Sequence, residues 1–283
     1  MLECTHFHLL GVFMVLKDNF KKEGDFLFRY RSYLPLVVIP FFVLCLVSLP
    51  QNLLLPRIEV QNFFFLDFWL GTDTQVNFVY NTPLVIFALI VGLLGQGIRI
   101  LVAGYVPRDI SGRNTKAQKA EVLNTTGMYS LCRNPLYLGN FLMMFAPVLL
   151  LGNWLFALSF ILAFWLYYER IIYAEESFLT QKFGDEYLQW AKNTPAFLPN
   201  FRHYTKSNLG FSMRSMLKRE YHSLFGLATS LFLIHWIISV YVSWDLVVAF
   251  EPCISVFFVV SAVIYVVMLV LIKTTKIFEV EGR

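Results

Sequence analysis

Apolar positions along the chain gather into long uncharged runs separated by short polar, mostly basic stretches. Leu34 to Leu55 holds 22 residues without a charge. As a helix that is about 33 Å, enough to cross a hydrocarbon core of about 30 Å. Pro35, Pro40 and Pro50 kink or shorten it. Thr82 to Gly104 is a second run, in which Gly92, Gly95 and Gly97 let another helix approach closely and Arg99, near the end, snorkels to the surface. Leu136 to Tyr168 is 33 residues without a charge. One helix of that length would be about 50 Å long, too much for one crossing. Gly152-Asn153 is a turn signal near its middle. The run therefore predicts a hairpin of two short spans, roughly 136–151 and 153–173, with Pro147 bending the first arm. Ser223 to Trp244 and Glu251 to Ile272 are two further spans around a short turn.

The stretches between the runs complete the plan. Residues 1–32 carry an apolar patch, Phe7 to Leu16, followed by Lys17, Lys21, Lys22, Arg29 and Arg31. This reads as an interfacial helix and a basic approach to the first span. No basic residue precedes the patch and Glu3 lies ahead of it, which argues against a cleavable signal peptide. In the loop 56–81, Phe63, Phe64, Phe65, Phe68 and Trp69 suit the headgroup level. Arg108 to Asn124 reads as a surface loop or a short amphipathic helix, and residues 174–222 as a polar, basic segment. Six spans put both termini on one side, and 21 of the 23 Lys and Arg residues fall there. Arg57 lies opposite and Arg99 within a span. The asymmetry predicts that both termini are cytoplasmic.

Composition agrees. Hydrophobic residues make up 57% of the 283 and charged residues only 15%, against about 25% in a soluble domain. The expected fold is all-α: a polytopic membrane protein with about six transmembrane helices, one pair forming a short helical hairpin. Three regions follow: an N-terminal part over 1–125 with two spans, the hairpin region over 126–199, and a basic segment with two spans over 200–283. Cys4, Cys45, Cys132 and Cys253 form no CxxC pair and lie near no His at ligand spacing, so neither a disulfide framework nor a metal site is expected. Net charge is +4, and no nucleic-acid partner is expected.

Candidate chemistry sits at the two ends of the uncharged run. A hairpin brings its ends together, so Arg133, Asn134 and Tyr137 are expected to meet Tyr168, Arg170, Glu175 and Glu176 at the cytosolic mouth of one helix pair. Tyr168, Ile172, Glu175 and Leu179 recur at helical intervals. An Arg beside an Asn, facing carboxylates and tyrosines, suits a small zwitterion. The guanidinium takes a carboxylate, a Glu takes an ammonium, and a tyrosine face holds a cationic centre. The same residues also read as plain membrane-boundary chemistry, with Arg133 and Arg170 snorkelling and Glu175 and Glu176 solvated.

The whole pattern decides between these. Gly127, Tyr129, Arg133, Asn134, Pro135, Tyr137, Gly139, then after the hairpin Glu175, Glu176, Leu179, Phe183, Gly184, Tyr187 and Pro199, resemble the isoprenylcysteine carboxyl methyltransferase superfamily of integral membrane methyltransferases. Phospholipid methyltransferases belong to the same group. The resemblance covers roughly 75 residues, about a quarter of the chain. It implies a cytosolic S-adenosylmethionine pocket lined by Tyr129, Arg133, Asn134, Tyr137, Gly139, Glu175 and Glu176, and a lipid or lipidated acceptor entering from the bilayer. Arg170 and Glu175 are the candidates for orienting that acceptor, through an oxygen of a carboxylate or of a phosphate, as in lipid A phosphate methyltransferases. Asn134 departs from the family pattern, which has His there. A membrane reductase of the sterol reductase type, using NADPH, shares a similar region. The Glu175-Glu176 pair suits an ammonium better than that cofactor's phosphates. A non-catalytic relative, with Asn134 as the trace of a lost activity, is the third reading.

Overall fold

A computed structural model of the chain describes residues 2–31, 82–106, 120–243 and 251–280. The expected first span at 34–55, the loop 56–81, most of the polar stretch 108–124 and the turn between the last two spans lie outside them. The described residues are all-helical. Helix α1 covers Leu2–Tyr30, α2 Thr82–Tyr105, α3 Met128–Leu131, α4 Pro135–Leu149, α5 Trp154–Phe183, α6 Asp185–Asn193, α7 Met213–Ser243 and α8 Pro252–Thr274. A 3₁₀ turn covers Phe201–His203. Four of these helices, α2, α5, α7 and α8, are long and apolar enough to cross a membrane, and α4 is a shorter apolar helix. On α8, Val256, Val259, Val263 and Val266 are each more than half exposed, a face that belongs in lipid rather than water.

The hairpin forms where the turn signal sits. Gly152 takes a left-handed φ of 61°, and the Asn153 side chain caps α5 by accepting from the Phe156 amide at 3.0 Å. Pro147 lies inside α4. The second arm is longer than expected. It runs ten residues past 173 and stops at Gly184, where φ is 54°. The residues after Tyr168 are polar but helix-forming, so the helix continues where the apolar pattern stops. Likewise α7 starts at Met213, ten residues before the expected span, and takes Arg214, Lys218 and Arg219 into the helix.

Small residues set the helix contacts. Gly95 of α2 and Gly139 of α4 cross face to face: a Cβ on Gly95 would sit 2.6 Å from the Gly139 carbonyl oxygen. A Cβ on Gly92 would sit 2.9 Å from Leu227 of α7 and 3.1 Å from Ala146 of α4. Both glycines act as the sequence predicts, whereas a Cβ on Gly97 would meet open space. Ala88, Ala146, Leu227 and Leu231 fill this α2–α4–α7 junction. A second core, rich in aromatic rings, joins α4 and α5. Phe141 packs on Phe145, Phe164 and Phe197 within it. Helix α1 packs along α5. It crosses at Gly24, where an added Cβ would run into the Arg170 carbonyl.

Candidate active site

Residues 126–134 lead into α4, and the segment after α6 folds back along them. Gly127 N donates to Thr205 O at 2.8 Å, Asn200 N to Leu131 O at 2.9 Å, and Arg133 N to Pro195 O at 2.9 Å. The Ser130 hydroxyl donates to Gly127 O and accepts from Thr205 N. The Asn134 side chain donates from Nδ2 to Ala196 O at 3.0 Å. Together these bonds hold residues 194–205 as a strap over the hairpin mouth.

Arg133 closes the same corner. Its Nε and Nη2 grip the two oxygens of Glu176 at 2.8 and 3.2 Å, and Nη1 donates to the carbonyls of Ala191 and Thr194 at 2.7 and 3.1 Å. Those carbonyls are at the C-terminal end of α6, where a cation also meets the favourable end of the helix dipole. Tyr187 stands beside Glu176, and burial, followed by the Glu176 charge, pushes its phenol up. Arg133 and Glu176 are therefore each other's partners and tie α4, α5 and α6 together.

Glu175 lies on a different face from Glu176, since successive helical residues differ by about 100°. The Tyr137 hydroxyl lies near its carboxylate. Arg31 at the end of α1 lies 3.7 Å away, and 27% of the Glu175 side chain stays exposed. The Tyr137 ring rests on Tyr168 at 4.8 Å. Tyr129 is close enough to Glu175 to feel its charge. Burial and then the Glu175 charge push its phenol up, while Arg219 and Arg99 pull it down. Cys132, fully buried, has its thiol pushed up to about 11 by burial, which makes it an inert packing residue.

The structure thus brings Tyr129, Tyr137, Tyr168 and Glu175 near one another, with the Arg133–Glu176 pair and Asn134 on the adjoining side of the hairpin. Gly139 is placed by its crossing with Gly95 and by the Arg99 stem, 2.7 Å from where its Cβ would be. Arg170 is not brought to this group. It donates to Glu23 of α1 at 2.7 Å and to the Leu166 carbonyl at 2.8 Å, and its guanidinium lies over Phe20. Five residues before Glu175, it is on a different face of α5.

A second polar cluster was not foreseen. Arg99, expected to snorkel, instead grips Glu220 of α7 through Nε at 2.8 Å and Nη2 at 3.0 Å, and donates to Ser223 at 3.1 Å and to Asn140 Oδ1. Gln96 donates to the same Glu220 at 3.2 Å. The Tyr168 hydroxyl lies near Asn140. A signal existed: Glu220 is the lone acid from 187 to 243 and stands at the head of an apolar run.

These features define a polytopic membrane protein with a tyrosine- and carboxylate-lined site at the open end of a helical hairpin. Residues 85–186 match the phospholipid methyltransferase family model. The chain is 36% identical over 85 residues to the protein-S-isoprenylcysteine O-methyltransferase of Schizosaccharomyces pombe, covering 30% of this chain and 36% of that one. It is 34% identical over 116 residues to the cobalt-zinc-cadmium resistance protein CzcN of Cupriavidus metallidurans, covering 41% of this chain and 51% of the relative. With the protein-S-isoprenylcysteine O-methyltransferase of Saccharomyces cerevisiae it shares 29% over 197 residues, 68% of this chain and 75% of that one. No solved structure matches. The chain thus spans about a third to a half of the length of the first two relatives. Its helical centre, from α2 to the start of α6, is related to the isoprenylcysteine carboxyl methyltransferase and phospholipid methyltransferase superfamily of integral membrane methyltransferases.

Proposed function

We propose that the chain is an S-adenosylmethionine-dependent membrane methyltransferase acting on an anionic oxygen of a lipid or lipidated acceptor. The observation that carries this is the meeting of Tyr129, Tyr137 and Glu175 at the hairpin mouth, inside the matched segment. The residues fit the cofactor. Glu175 is a partly exposed carboxylate for an ammonium, and the tyrosine rings suit a sulfonium. When bound, the cofactor supplies an electrophilic methyl group, which an acceptor oxygen takes while the carbon–sulfur electron pair returns to sulfur. Glu175 and Tyr137 orient the cofactor's amino-acid end. Asn134 and the Arg133–Glu176 clamp hold the strap that closes over it. An acceptor that arrives as an anion needs no general base, so placement supplies the catalysis. The lysine and arginine distribution supports a cytosolic position for the site and both termini.

The relatives' names make a prenylated cysteine carboxylate the first acceptor to try. Residues 194–219 contain no acid but include Arg202, Lys206, Arg214, Lys218 and Arg219, which supports an anionic lipid headgroup as the second. The test uses purified protein in nanodiscs with methyl-labelled S-adenosylmethionine, a farnesylated cysteine derivative and a total lipid extract. Label is expected in one acceptor, and Glu175→Gln is expected to weaken cofactor binding with the melting temperature unchanged. No label in either acceptor, with NADPH rather than S-adenosylmethionine stabilising the protein, overturns the proposal.

A further inference from the structure

The strap and the residues that follow it present a surface that the site does not use. Both ends of this segment are seated on membrane helices. Phe197 packs edge-on against Trp165 of α5, at 5.4 Å, and against Phe141 of α4. Trp165 stands among Leu162 and Leu166, each more than half exposed, on the lipid side of α5. It lies one turn before Glu169, the first charge on that helix. That is the depth of the membrane interface, where tryptophan is favoured. At the other end Phe211 packs on Tyr105 at 5.3 Å, and Ser212 N donates to Gly104 O at 2.9 Å, at the end of α2. Between these anchors Leu198 is 73% exposed, Phe201 76% and Tyr204 57%. Arg202 and Lys206 are exposed among them. Residues 194–219 hold five cations and no acid, and Glu220, the next residue, is committed to Arg99.

We propose that the strap is a docking surface for the anionic headgroup layer of the bilayer: Leu198 and Phe201 enter the acyl-chain boundary, and Arg202 and Lys206 take acidic headgroups. Continuity favours this occupant, because Phe197 joins the exposed residues to Trp165 and so to the lipid side of α5. Composition favours it too: large apolar side chains interleaved with cations are what an interfacial anchor to acidic lipid requires. A two-fold dimer through this surface would set one wholly basic stretch against another. The strap is bonded to the hairpin mouth through Pro195, Ala196, Asn200 and Thr205. A leaflet that holds Leu198 and Phe201 therefore also holds those bonds in place. The surface does not depend on the methyl-transfer reading.

Spin labels test this in the full chain, with Cys4→Ser, Cys45→Ser and Cys253→Ser in place and the buried Cys132 kept. Labels at Leu198→Cys and, separately, at Phe201→Cys are compared in nanodiscs with one at Glu186→Cys, an exposed polar position. The first two are expected to collide with oxygen dissolved in lipid rather than with a water-soluble nickel chelate, and the third to do the reverse. As phosphatidylglycerol replaces phosphatidylcholine stepwise, lipid contact of the label at 198 is expected to increase. Arg202→Gln is expected to raise the phosphatidylglycerol fraction needed for half of that increase about five-fold, and Arg202→Gln with Lys206→Gln to abolish the response. The two label sites are separate, so loss of fold at one leaves the other to decide. Labels at 198 and 201 that meet the nickel chelate as freely as the label at 186 overturn the inference. A response to phosphatidylglycerol that survives the double substitution also overturns it. So does protection from both probes with spin–spin broadening, the mark of a second copy on this surface.

Discussion

Arg133 separates two jobs that its position allows, and the structure favours one. If it clamps Glu176 and the end of α6, Arg133→Ala removes four hydrogen bonds, two of them to a carboxylate. Breaking a buried pair costs about 3–5 kcal/mol, and exposed pairs are worth about 1 kcal/mol or less. The side chains here are 18% and 25% exposed, which places the loss between those limits, at about 2–4 kcal/mol. At roughly 2–4 °C per kcal/mol, the cofactor-free protein is expected to melt about 4–16 °C lower. Glu176→Ala is expected to cost a similar amount, and the double variant about 1–3 kcal/mol less than the sum. The assay is thermal unfolding in nanodiscs without cofactor, followed by binding of S-adenosylmethionine well below the transition. A melting temperature within about 1 °C of wild type, combined with lost cofactor affinity, refutes the clamp and makes Arg133 a direct ligand.

Gly24→Leu is expected to force α1 off α5, lowering the melting temperature and abolishing a disulfide cross-link between cysteines placed at 23 and 170, which forms in the Gly24 background. Gly95→Val is expected to cost about 1–3 kcal/mol at the α2–α4 crossing. In the same unfolding assay Gly97→Val should stay within about 0.5 kcal/mol of wild type. The Cys132 thiol, raised from its ordinary 9 to about 11, keeps its proton in the folded state where the unfolded chain loses it. Its contribution to stability is therefore intact below pH 9 and lost as the pH rises from 9 to 11, and a Cys132→Ser variant should lack that part of the decline in a pH series of melting curves.

The hairpin was legible because 33 uncharged residues cannot be one crossing and Gly152-Asn153 offers a turn. Its outer limit was not, because apolar periodicity reports where lipid ends, while α5 and α7 continue through helix-forming polar residues. The separate faces of Glu175 and Glu176 follow from helical geometry alone. The fate of Arg170 does not, since α1 supplies its partner Glu23 from 147 residues away. Arg99 fails for the same reason. Near the end of an apolar helix a cation reads as snorkelling, and only the packing of α7 brings Glu220, 121 positions later, against it.

The departure from the family pattern at Asn134 also acquires a physical meaning. Its backbone carbonyl accepts from the amides of Tyr137 and Leu138 at the head of α4, and its side chain donates to Ala196 on the strap. An imidazole N–H would make the same bond to Ala196 O, and neither task needs a positive charge. The positive charge at this corner comes from Arg133, which is already neutralised by Glu176. Two further cations are likewise paired, Arg31 with Glu175 and Arg99 with Glu220. What the position requires is a buried donor aimed at the strap, and asparagine meets that requirement. Asparagine at this position therefore keeps the strap bonded to the head of α4.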